Sequence, residues 1–110
     1  MQYETILARA FEILDTPPND FYNPEITQIP LNSILIVQLT DRFSYNRHPG
    51  NGIHGSLFYG DYPIGASVNG RLLLITDMPK DFLDRDINEL EHAVGTVEER
   101  YKRWKTEQSV

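Results

Sequence analysis

The chain predicts an α+β domain: an N-terminal helix, an antiparallel sheet of about four strands, and a long C-terminal helix packed on the sheet. Three observations predict it. Leu83, Ile87, Leu90, Val94, Val97, Tyr101 and Trp104 recur at alternating spacings of four and three, which draws one apolar stripe along a C-terminal helix. Asn69-Gly70 separates two strand-like segments, and this dipeptide tolerates positive φ at both turn positions of a tight hairpin. The strand-like segments stand in one block joined by turns, with helical patterns before and after them, as in sheets with helices on one side. At 110 residues the chain suits one domain, residues 1–110.

Taken in order, Tyr3, Ile6, Leu7, Ala10, Phe11 and Leu14 follow helical spacing, so residues 3–14 form an amphipathic helix. Asp15-Thr16-Pro17-Pro18 stops it, because proline cannot extend the hydrogen-bond ladder. Pro17, Pro18, Pro24 and Pro30 make residues 15–30 an irregular connector packed by Phe21 and Tyr22, with at most a short edge strand at 26–29. Residues 31–40 are rich in apolar and β-branched residues on both faces, which predicts a strand in the middle of the sheet. Residues 41–55, with Pro49, Gly50, Gly52 and Gly55, predict a loop without regular structure. A short strand at 56–59 turns at Gly60-Asp61, and the hairpin pairs 64–68 with 71–75, Val68 opposite Arg71 and Ala66 opposite Leu73. Gly65 marks a bulge.

Asp81, Asp84 and Asp86 are candidate caps of the last helix, and Asp86 with Glu89 has capping-box spacing. Residues 77–99 hold eight acids and two bases, while Arg100, Lys102, Arg103 and Lys105 follow, an order that suits the helix dipole. Gly95 interrupts this helix at a cost of about 1 kcal/mol, which close backbone approach to a neighbour would explain.

Composition narrows the function. Cysteine is absent, so disulfides and thiolate metal sites are excluded. The longest apolar run is 34–37, far short of the ~20 residues that span a bilayer, and the first residues carry acids where a secretory leader needs bases. These features predict a cytoplasmic protein with no membrane partner. The net charge of −6 is uneven: residues 1–41 hold six acids against Arg9 alone, whereas residues 42–110 hold ten acids and nine bases. Such a surface repels phosphate backbones and disfavours nucleic acid, while it suits basic protein partners. Ordinary solubility charge is the simpler explanation.

No catalytic or cofactor motif matches the helix stripe in strength. Arg42, Tyr45, Arg47, His48 and His54 gather in the glycine-rich stretch and offer general acid/base groups, yet no carboxylate is fixed beside them. His48, His54 and Asp61 are too few and too scattered for a metal site. Gly50, Gly52 and Gly55 start a G-x-G-x-x-G pattern in the wrong register, and Asp77, Asp81, Asp84 and Asp86 lack the EF-hand spacing. The alternating bases and aromatics of residues 100–105 continue the helical period, so Tyr101 and Trp104 belong to the stripe. Catalytic residues, cofactor and metal are therefore expected to be absent. Contact with another protein is the expected business: the stripe covers the chain's own sheet, seats a second copy in a homodimer, or holds a client. A strand edge near residues 56–68, with Phe58, Tyr59 and Tyr62, would accept a partner's extended segment. Phe58, Tyr59, Tyr62, Tyr101 and Trp104 are the candidate protein-binding residues.

Residues 68–90, VNGRLLLITDMPKDFLDRDINEL, resemble the last strand and final helix of the small acidic type III secretion chaperones, and residues 3–14 are similar to their first helix. That family inserts a helix between its middle strands, and residues 41–65 carry no such pattern. The resemblance implies a homodimer that keeps an extended effector segment unfolded, with no catalytic residue. Expected function is thus a chaperone-like adaptor that binds a protein segment without catalysis. The alternatives are a small acidic inhibitor of a basic target, such as an immunity or phage anti-defence protein, and a small hydrolase or nuclease using Arg47, His48 and His54.

Overall fold

The structure, a computed structural model, describes residues 2–22, 35–48, 54–74 and 78–108. The elements are α1 (Gln2–Asp15), α2 (Asn19–Tyr22), β1 (Leu35–Gln38), β2 (Phe43–His48), β3 (His54–Tyr59), β4 (Tyr62–Val68), β5 (Arg71–Leu74) and α3 (Asp84–Gln108). The strands form one antiparallel meander in the order β1-β2-β3-β4-β5, and both long helices cover the same face. The expected α+β architecture is present, with five strands where the sequence predicts about four.

The additional strand is β2, in the stretch read as a loop. Phe43, Tyr45 and Arg47 are buried on the helix side, and Ser44, Asn46 and His48 alternate onto the other face. An arginine among the inward positions disguised a period of two. Residues 49–53 lie outside the described residues, as does the short strand read at 26–29. β1 also departs from expectation: among the described residues it is an edge strand. Leu35 is buried, whereas Ile36 on the helix-free face is 62% exposed, so only one side of the apolar run is covered. The Asn69-Gly70 hairpin forms as read, with φ of 50° and 86° and Val68 opposite Arg71. The bulge falls beside Gly65: the register shifts between Leu57 and Phe58, which leaves Ile64 as the extra residue.

The core lies between sheet and helices. From α1 come Leu7, Ala10, Phe11 and Leu14, and from α3 Ile87, Leu90, Val94 and Val97. Phe43, Tyr45, Leu57, Tyr59 and Ile64 rise from the sheet to meet them. The α3 stripe is thus used within the chain and is not a free seam for a second copy. Leu83 is the exception, since it precedes the helix and stays 46% exposed. Tyr101 and Trp104, half-buried, stack edge-on against Phe21 of α2 at 5.3 and 5.8 Å. The two helices run in the same sense, with Tyr3 donating to the Asp84 carboxylate and Arg9 facing Glu98 at 3.9 Å.

Gly95 does not serve a close approach. A Cβ there would meet no atom within 4 Å, because the residue borders a cavity of about 310 Å³ between α1 and α3. Gly95→Ala is therefore expected to stabilise the fold by about 0.5–1 kcal/mol through helix propensity. Thermal denaturation should show a midpoint raised by a few degrees, and a lowered midpoint would contradict the open space.

Candidate functional site

The expected binding residues do not form one surface. Tyr59 is buried, with its ring 5.1 Å from Phe43 and 5.4 Å from Phe82. Phe58 is half-buried on the helix-free face, and Tyr62 is exposed at the start of β4. Tyr101 and Trp104 close the opposite end of the core. The strand edge expected at 56–68 is corrected too: β3 and β4 are interior strands, each paired on both sides. Strands joined by tight turns put the ends of the strand block at the sheet edges, and those ends are β1 and β5.

The loop constellation also separates. His48 and His54 pair across β2 and β3 and are exposed on the helix-free face. Arg47 points the other way. Its Nε donates to the Tyr45 hydroxyl at 3.1 Å, and its terminal nitrogens donate to the Leu14 carbonyl at 2.6 Å and to the Pro17 carbonyl. A guanidinium is thereby tied to the C-terminal end of α1, where the carbonyls are otherwise unpaired. The Tyr45 hydroxyl donates to Asp15 at 2.6 Å, and Ser67 donates to the other oxygen of that carboxylate at 2.6 Å. Burial, with the Asp15 hydrogen bond, pushes the Tyr45 phenol well above its ordinary value despite the opposing Arg47 charge. Asp61 sits at the β3–β4 turn, at the far end of β3 from His54, and no group of three metal-ligating side chains occurs among the described residues.

Asp86 is not the cap expected from its spacing with Glu89. It lies in the first turn of α3 and folds back, accepting from the Leu83 backbone N–H at 3.1 Å. Tyr59 donates to the same carboxylate at 2.8 Å and accepts from Arg42 at 3.1 Å. Desolvation alone would raise the Asp86 pKa. The Tyr59 and Leu83 hydrogen bonds and the Arg42 charge outweigh it, so the carboxyl titrates below the ordinary carboxylate value. Of the other acids in the rejected calcium reading, Asp84 accepts from Tyr3 and Asp81 faces Arg42 at 3.5 Å, while Asp77 lies outside the described residues.

Among the described residues, one surface that remains open beside the core is a groove between the end of β1 and α3. Val37, Gln38, Leu39, Thr40 and Asp41 form one wall. Asn88, Glu89, His92, Ala93, Thr96, Val97 and Arg100 form the other, and together they enclose about 650 Å³. Val37, Leu39, Ala93 and Val97 supply an apolar floor. The Leu39 N–H donates to the Phe43 carbonyl at 3.0 Å. Antiparallel alternation from that bond turns the N–H and C=O of Ile36 and Gln38 away from β2, toward the sheet edge. No strand pairs with that edge among the described residues. A cavity of about 620 Å³ also borders β5, yet it touches that strand only at Leu72, and its Asp15 and Ser67 are bonded to each other. The β1 groove follows residues 37–41, of which Val37 and Gln38 belong to β1. No sequence signal marked it, because its lining is a mixture of small, polar and half-buried residues drawn from two distant segments.

No protein-family model, curated protein or solved structure matches the chain. The groove is therefore read from its own geometry.

Two outcomes test the clusters that hold this geometry. Folding lowers the Asp86 pKa, so its stabilising contribution is complete above the unfolded carboxylate value, near pH 4, and is lost as pH falls through the lower folded value. Asp86→Asn should consequently lower the melting temperature at neutral pH and flatten its decline below about pH 4. Gly55 tests the other cluster, since a Cβ there would stand 2.7 Å from the Tyr45 ring and 2.8 Å from Asp15. Gly55→Ala is expected to cost about 1–3 kcal/mol in urea denaturation, and a neutral result would show that the network yields freely.

Proposed function

We propose that this chain is a non-catalytic, chaperone-like adaptor that binds an extended segment of another protein by adding it as a sixth strand outside β1. The observation that carries this reading is the coincidence of a strand at the edge of the described sheet with a groove that borders its last two residues, Val37 and Gln38, and continues along 39–41. Outward-turned backbone groups at Ile36 and Gln38 would supply main-chain hydrogen bonds, and alternate side chains of the guest would rest on Val37, Leu39, Ala93 and Val97. Strand addition asks only for an extended backbone and small or apolar side chains, which suits an adaptor for a segment kept unfolded. The similarity of residues 3–14 and 68–90 to type III secretion chaperones supports the same reading. A cysteine-free module of this kind fits a cytoplasmic setting.

The test uses the full chain and a capped peptide of about eight residues alternating valine and threonine. Amide hydrogen exchange should slow at Ile36 and Gln38, and amide resonances should shift at Ala93 and Thr96. Ala93→Trp, which fills the groove from a half-buried position, should weaken binding at least tenfold with an unchanged circular dichroism spectrum. Protection at Leu72 and Leu74 in place of β1, or no protection at either edge, would overturn the assignment.

A further inference from the structure

The charges of the β1 groove stand in order along it, and we propose that they fix the direction and pattern of the guest: a basic residue at its N-terminal end, apolar residues at alternate positions, and an acidic residue at its C-terminal end. This inference rests on the strand-addition reading above. β1 and α3 run in opposite directions. The Gln38 end of β1 pairs with Ser44, next to Phe43, whose ring is 6.2 Å from Phe82 just before α3. The Leu35 end pairs with Arg47, whose guanidinium lies 5.0 Å from the Tyr22 ring, and neighbouring Phe21 rests on Tyr101 and Trp104 late in α3. Asp41 and Glu89 thus mark one end of the groove, and Arg100, held with its guanidinium 5.6 Å from the Phe21 ring, marks the other.

A strand added antiparallel to β1, the better-bonded arrangement, runs with α3 from the acidic end to the basic end. Its first residues meet two carboxylates and its last meet a guanidinium. Glu89 and Arg100 are separated by eleven helical steps, or about 16 Å, which an extended chain covers in about five residues. The guest is therefore a segment of basic-x-apolar-x-apolar character closing on an acid, with its ends matched to the groove. A guest of the reverse order meets like charge at both ends when it pairs in this sense. The separation is short enough for both contacts to form together, and both lie at the exposed rim, so salt must weaken the preference.

Two peptides of identical composition distinguish the outcomes, one with lysine first and glutamate last around alternating valine and threonine, the other with these ends exchanged. Titrations at low salt are expected to give roughly tenfold tighter binding for the lysine-first peptide, with the difference shrinking at about 0.5 M salt. The double variant Glu89→Lys with Arg100→Glu should invert the preference, and Glu89→Lys alone should reduce it. Both positions are exposed, so the circular dichroism spectrum of each variant should match that of the parent chain. Equal binding of both peptides, with protection at Ile36 and Gln38, overturns the charge order and leaves strand addition standing. Absence of binding, or protection at β5, overturns both.

Discussion

Two helices laid side by side cannot cover five strands evenly, and this mismatch shapes the molecule. Neighbouring strands stand about 4.8 Å apart, so five of them with their flanking atoms make a sheet about 24 Å wide. Helices packed on each other at 8–10 Å cover less than that. α1 settles over the β4–β5 side, where Phe11 would be 2.9 Å from a Cβ on Gly65, a closeness that glycine alone permits. α3 lies against α1 and reaches only part of β1. The strip beside β1 that no described residue covers is the groove, and its floor is the margin of the core itself.

Polar groups hold the helices in that position. Arg47 enters the core from β2 and bonds the last carbonyls of α1, so the helix end and the sheet move together. Asp86 does the equivalent at the start of α3, bonding the Leu83 N–H and the Tyr59 hydroxyl. Each would be costly if left unpaired, because a buried charge without partners loses its hydration for nothing. With every partner present they fix where each helix begins or ends, which apolar contacts alone define poorly. The two clusters sit at opposite ends of the helical layer, and the groove lies beside the stretch of α3 between them.

The parts that were legible in the amino-acid sequence are those set by neighbours along the chain. The α3 stripe, the prolines that end α1 and the Asn69-Gly70 turn are local devices, and each forms as its pattern implies. Misreadings arose where a residue's meaning depends on distant contacts. Arg47 looked like loop chemistry because its carbonyl partners are about thirty residues away. Residues 34–37 looked doubly covered because an apolar Ile36 says nothing about which side of the sheet holds helices. Tyr59 looked like a recognition residue, but its ring fills the core and its hydroxyl is bound to Asp86. The groove combines residues 37–41 with 88–100, and only the meander order places β1 at the edge where the two meet.

An open edge invites unwanted pairing as well as a guest, and β1 carries features that separate the two. Its described part is four residues long, and a partner strand on that part gains few backbone hydrogen bonds. The Gln38 side chain turns back on its own hairpin, donating to the Thr40 carbonyl at 2.6 Å, and so shortens the usable edge further. The net charge of −6 repels a second copy of the chain at long range. A guest that brings its own positive charge meets no such barrier. Overall charge thus keeps identical chains apart at a distance, while the order of charges along the groove would select the direction of a guest.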